Sequence, residues 1–147
     1  MNGMKNLVFL YEALTGKIVE ACFEISTGLG CGFLESVYQN ALWIALEQSG
    51  LTSRREVSLD ARFHGRVVGH FFADSVVEDK IILKLKSVKD LAPEHFAQTI
   101  NYLNGTGMEV DVLINFGQPI LRYRRLKRKK DFNNLSRSSC QSMFSKE

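Results

Sequence analysis

Ala73-Asp74-Ser75-Val76-Val77-Glu78-Asp79-Lys80-Ile81-Ile82-Leu83-Lys84-Leu85-Lys86 is the stretch on which the fold turns. The first half closes a run from Val67 that is apolar at both parities, and the second half is a strand pattern again, with Glu78-Asp79 as the turn between them. Strands apolar on both faces lie inside a sheet with helices on either side. Alternation puts Lys84 and Lys86 on one face of their strand, and His70, Phe72 and Asp74 on one face of the preceding strand. Acid and base are therefore placed to meet across the sheet.

Working outward, Val57, Leu59, Ala61 and Phe63 alternate on one face of an earlier strand, and His64-Gly65-Arg66 makes a hairpin with Val67. Before it, Leu14, Ile18, Ala21, Cys22 and Ile25 recur at steps of three and four in an amphipathic helix over 12–25. Gly28, Gly30 and Gly32 break it, and Leu34, Val37, Tyr38, Ala41, Leu42, Ala45 and Leu46 define a second helix that stops at Gly50. Downstream, Pro93 opens a helix with Phe96, Ile100 and Leu103 inward, followed by a strand over 110–116. The order α-α-β-β-β-α-β is that of an α/β domain with a central sheet flanked by helices.

The 147 residues, 45% of them hydrophobic, suffice for one domain with a core that needs no disulfides or structural metal. Cys22, Cys31 and Cys140 match neither a zinc ribbon nor a redox pair, which suits a reducing, cytoplasmic setting. The apolar run Leu7 to Tyr11 ends at Glu12, too short for a signal segment or a membrane span, so no membrane partner is expected. His64, His70 and His95 lack ligand spacing. The net charge is only +3, but Arg122 through Lys130 holds seven basic residues in nine. Residues 1–121 are read as the domain and 122–147 as a basic, polar, poorly ordered tail. Within it Arg122, Arg124, Arg125, Lys127, Arg128, Lys129 and Lys130 can neutralise phosphates and Tyr123 can stack on a base, giving salt-dependent contact with DNA or RNA.

Gly32-Phe33-Leu34-Glu35-Ser36-Val37-Tyr38, continuing as Gln39-Asn40-Ala41-Leu42, resembles the GxxExxY family of PD-(D/E)XK nuclease-like proteins. The similarity extends through Ala73-Asp74, His95-Phe96-Ala97-Gln98, Tyr102-Leu103 and Leu113-Ile114-Asn115-Phe116, covering about residues 14–121. The resemblance implies a restriction-endonuclease-like core in which Glu35, Asp74, an acid two residues before a lysine, and Gln98 line a Mg²⁺ and phosphate site. Here Lys86 takes the lysine role and Lys84 stands where the acid belongs, leaving Asp74 and Glu35 as the metal ligands should any be retained.

A unit charge about 4 Å from a divalent ion interacts by roughly 8 kcal/mol at an effective dielectric near 20, repulsively for lysine. The Lys84 ammonium, attracted by Asp74 and Glu35, is instead expected to fill the ion's space. The leading expectation is a nuclease-fold protein whose catalysis is impaired, retaining nonspecific nucleic-acid binding. The alternatives are an active Mg²⁺-dependent nuclease using Asp74, Glu35 and Lys86, and a protein-interaction or regulatory domain.

Overall fold

The computed structural model describes residues 2–128. Two helices, α1 (Asn2–Leu29) and α2 (Glu35–Gln48), precede three strands, β1 (Ser53–Phe63), β2 (Arg66–Val77) and β3 (Ile81–Lys86). Then come α3 (Pro93–Thr106), β4 (Val110–Asn115) and β5 (Arg122–Lys127). The strands form one sheet in the order β1-β2-β3-β4-β5, antiparallel throughout except for the β3/β4 pair. That parallel pair needs a crossover, which α3 supplies. β3 is therefore the middle strand, covered on both faces, as its apolar composition requires.

Alternation along β3 sorts the core into two layers. Ile81, Leu83 and Leu85 join Leu14, Ile18, Cys22 and Ile25 of α1 and Tyr38, Leu42 and Leu46 of α2. On the opposite face Ile82 packs with Phe71, Ala73, Val76 and Leu103. Lys84 and Lys86 share the parity of Ile82, so they emerge on the α3 side. Burial within the first layer pushes the Cys22 thiol up to about 12, which makes it a packing residue rather than a nucleophile.

Both hairpins use turns with positive φ at their two central residues: His64 at 50° with Gly65 at 76°, and Glu78 and Asp79 both at 55°. Such primed turns match the twist of the strands they join. Gly107 ends α3 as a left-handed cap at φ 78, its amide donating to the Leu103 carbonyl at 3.0 Å. Glycine is the usual residue at that position.

Three expectations are corrected. The first helix runs from Asn2 to Leu29 rather than over 12–25, and Gly28 remains inside it. Phe63, expected inward with Val57, Leu59 and Ala61, is exposed. It lies at a hairpin tip whose residues from Arg62 to Val68 are all exposed, and the register irregularity beside it puts the extra residue, Val68, on β2, leaving the alternation of β1 unbroken. Arg122 to Lys127, assigned to a poorly ordered tail, are a fifth strand pairing Asn115↔Arg122 through Val110↔Lys127. The parallel β3/β4 pair leaves β4 with a free edge, and β5 satisfies it despite its charge. Residues 129–147, including Lys129 and Lys130, lie outside the described residues.

The end of β4 fastens the loop that follows β3. Asn115 Oδ1 accepts from the Val88 and Gly117 amides at 3.0 and 2.9 Å, and its Nδ2 donates to the Val88 carbonyl at 2.9 Å. Gly117 lies so close that a Cβ built on it would collide with the Val88 backbone. Gly117→Ala must therefore push the loop after β3 away, and we expect a loss of about 2–4 kcal/mol, the range of severe single-site changes. Urea unfolding measures it, and a loss below about 0.5 kcal/mol, the usual surface value, would show that the loop yields freely.

Candidate functional site

Asp74 sits where β2 parts from β3. The ladder between them pairs Ser75↔Leu83, Val76↔Ile82 and Val77↔Ile81 and goes no further. Just past it the Leu85 amide, which would otherwise seek a strand partner, donates to Asp74 Oδ2 at 2.6 Å. The other oxygen, Oδ1, accepts from Gln39 Nε2 at 2.8 Å and stands 3.8 Å from Lys84 Nζ. Both side chains of that ion pair are largely covered, Asp74 14% and Lys84 28% exposed. Burial raises the Asp74 carboxyl above its usual range; the Leu85 amide and Lys84 work against this, Glu35 adds to it, and Lys86 opposes it weakly.

The segment Gly32 to Gln39 explains how α2 reaches this point. Tyr38 is fully buried, stacked on Phe116 at 4.4 Å with 5° between the rings. Its hydroxyl donates to the Gly30 carbonyl at 2.6 Å and accepts from the Phe33 amide at 3.3 Å. Gly30 and Gly32 both have positive φ, in the region where a side chain would be strained. Tyr38 thus clamps the glycine loop and fixes the start of α2, where Glu35 is the first residue. One turn later Gln39 shares the face of Glu35, and this face meets Asp74.

The expected residues Glu35, Asp74, Lys84, Lys86 and Gln98 converge on the splayed β2/β3 region. A cavity of about 400 Å³ is lined by His70, Phe72, Lys84, Lys86, Gln98 and Tyr102. Gln98 does not bond to Asp74; its Nε2 donates to the Tyr102 hydroxyl at 2.7 Å. His70 pairs with Asp60 at 2.8 Å. His95, considered for the pocket, caps α3 instead, its Nδ1 accepting from the Ala92 amide at 2.9 Å. Glu78 lies in the β2–β3 turn and accepts from the Thr52 amide at 3.3 Å.

Two residues were missed by sequence reasoning: Gln39, which donates to Asp74, and Asp111. Asp111, on β4 beside Ile82, is 1% exposed, and its Oδ1 has no hydrogen-bond partner. Burial pushes its carboxyl up to about 8, with Lys84 opposing and Asp74 adding to the rise. Lys84 therefore lies in the field of two acids. The signal was an aspartate in an otherwise apolar strand, Val110-Asp111-Val112-Leu113-Ile114.

The basic residues of β5 and its end are not equivalent. Arg128 pairs with Glu109 at 2.7 Å, and Arg124 lies over the Phe96 ring at 5.4 Å. Arg125 is half-buried, with Nε and Nη2 unpartnered, while Arg122 and Lys127 are exposed.

The donor set at Asp74 does not suit a divalent cation, which needs several free oxygen ligands. Both carboxylate oxygens are engaged by protein donors, and an ammonium occupies the neighbouring position. The described residues contain no group of three His, Cys, Asp or Glu side chains able to hold a metal.

The sequence profile of the PD-(D/E)XK nuclease superfamily matches residues 12–129, and the chain belongs to that superfamily. The solved alkaline exonuclease of Laribacter hongkongensis superposes with a TM-score of 0.51 at 12% identity over 76% of this chain, which spans 64% of that enzyme. The structure of SSO0001 superposes with a TM-score of 0.52 at 15% identity over 95% of this chain and 70% of that one. At such identities the likeness is one of fold. No protein of curated function matches the chain by sequence. No described helix is long and apolar enough to cross a membrane.

Asp111 yields a pH dependence whose sign is determined. An unfolded aspartate ionises near pH ~3.9. Folded Asp111 keeps its proton up to about 8, so across that window the native state binds the extra proton and stability falls as pH rises. Asp111→Asn removes the titration with little change of shape. The variant's stability, followed by urea unfolding, should decline less steeply than the parent's between pH ~5 and ~8. Parallel curves would refute the assignment.

Proposed function

We propose that this chain is a nuclease-fold protein that binds nucleic acid without sequence preference and does not cleave it, because Lys84 replaces the acid that relatives use to hold a metal ion. The observation that carries the reading is the 3.8 Å approach of Lys84 Nζ to Asp74 Oδ1, with neither side chain free in solvent. An ammonium there supplies one fixed positive charge beside Asp74, where a hard dication needs clustered carboxylates. Asp74, Gln39 and Lys84 then act together as a structural lock on the β2/β3 divergence. Lys86 and the exposed arginines of β5 remain to meet phosphates. The Laribacter hongkongensis exonuclease has also been solved in complex with dAMP, which supports a nucleotide-bearing ligand class. Cytoplasmic placement and the GxxExxY assignment belong to the same proposal.

Titration calorimetry with Mg²⁺ and Mn²⁺ on the parent and on Lys84→Glu, with oligonucleotide cleavage assayed on the same samples, tests it. The expected outcome is no metal uptake by the parent and measurable uptake by the variant. Metal-dependent cleavage by the parent, abolished by Asp74→Ala, would establish an active nuclease instead.

Lys84→Met removes the ammonium and leaves Asp74 without its counter-ion. We expect a loss of about 1–3 kcal/mol in stability at neutral pH, the cost of leaving a largely buried charge uncompensated. A variant at least as stable as the parent in thermal unfolding would show that Lys84 is not the lock.

A further inference from the structure

A second cavity, of about 470 Å³, lies beside β5. It shares no lining residue with the Asp74-side cavity: α3 contributes Phe96 here, and Gln98 and Tyr102 there. Arg122 and Arg124, two apart on β5, present their side chains from one face of the strand. The Arg124 guanidinium carbon lies over the Phe96 ring, 5.4 Å from its centroid, whereas Arg122 forms no ion pair or hydrogen bond with any described residue. Gln118 is tied down by its Nε2, which donates to the Lys89 carbonyl at 2.5 Å and to Asp90 Oδ1 at 3.1 Å. This keeps the one carboxylate in the cavity engaged with a protein donor.

Those groups match a nucleotide unit. A planar guanidinium beside a phenyl ring offers a cationic and aromatic surface on which a base stacks, and a free arginine fork binds phosphate oxygens. The volume falls within the range of small-ligand sites. We propose that this cavity is a second binding site of the protein, one that seats a nucleotide of a single-stranded nucleic acid, with Arg122 on its phosphate and the Arg124–Phe96 pair under its base. The proposal rests on the nucleic-acid-binding reading above and locates that binding away from the cavity lined by Lys84 and Lys86. An acidic peptide would use the two charges equally well but would gain nothing from the stacked surface, which is why the nucleic acid is favoured.

Fluorescence anisotropy with a labelled single-stranded oligonucleotide across a salt series tests it, using the parent, Arg122→Gln/Arg124→Gln, Lys86→Gln and Arg124→Lys. All of these changes are at solvent-accessible side chains, and thermal unfolding confirms that the variants fold. The double variant should bind about 10–100-fold more weakly and lose about 0.7 from the slope of log affinity against log salt, the share of the one phosphate-directed charge, Arg122. Arg124→Lys should keep the slope and lose several-fold in affinity, because the charge stays and the flat surface goes. Binding by the parent that Lys86→Gln abolishes and the double variant leaves intact would uphold the general nucleic-acid reading and overturn this site. Undetectable binding by the parent at low salt would overturn both. A poly-glutamate peptide bound as tightly as the oligonucleotide, or Arg124→Lys equal to the parent, would reduce the site to charge alone and overturn the nucleotide assignment.

Discussion

The constraint on which the arrangement depends is that a carboxylate, Asp74, has been placed in the interior where two central strands separate. Opening β2 from β3 exposes a backbone amide, that of Leu85, which must find a partner once it has left water. The Asp74 carboxylate is that partner, and it brings a charge that needs neutralising in turn. Gln39 and Lys84 answer this requirement from a helix and from the facing strand. Strand divergence, buried acid and ion pair are therefore one solution to a single hydrogen-bonding problem.

Around that point the molecule is organised in two apolar layers with different tasks. The layer under α1 and α2 holds Tyr38, and through Tyr38 the glycine loop that sets the first turn of α2, so Glu35 and Gln39 are carried to the site by packing. The layer under α3 is thinner and leaves two cavities, each lined in part by that helix.

Much of this was legible in the chain. The parity of Lys84 and Lys86, the turn at Glu78-Asp79, the glycine break before Gly32 and the apolar runs of β3 and β4 follow from alternation and from turn chemistry, both local properties. The approach of Lys84 to Asp74 was anticipated because alternation sets the two opposite charges on one face of adjacent strands. Less legible were the exposure of Phe63, which sits where the β1–β2 hairpin tip outruns the packed layers, and the partnership of His95 with its own helix start. Asp111 escaped notice because a lone acid in a strand has no sequence neighbour to reveal what it faces; only the parallel pairing of β4 with β3 sets it in the field of Lys84 and Asp74.

The sequence by itself determined the first seven elements of the α/β domain and the placing of Asp74, Lys84 and Lys86 on facing strands, since each is encoded in periodicity or in residue type. The tertiary structure alone decided that Arg122 to Lys127 form a strand. Their charges read as solvated tail, and no local preference opposes that reading. The open edge of β4 offers unpaired amides and carbonyls that a neighbouring strand satisfies, and this long-range hydrogen bonding outweighs the local preference of a basic run for water.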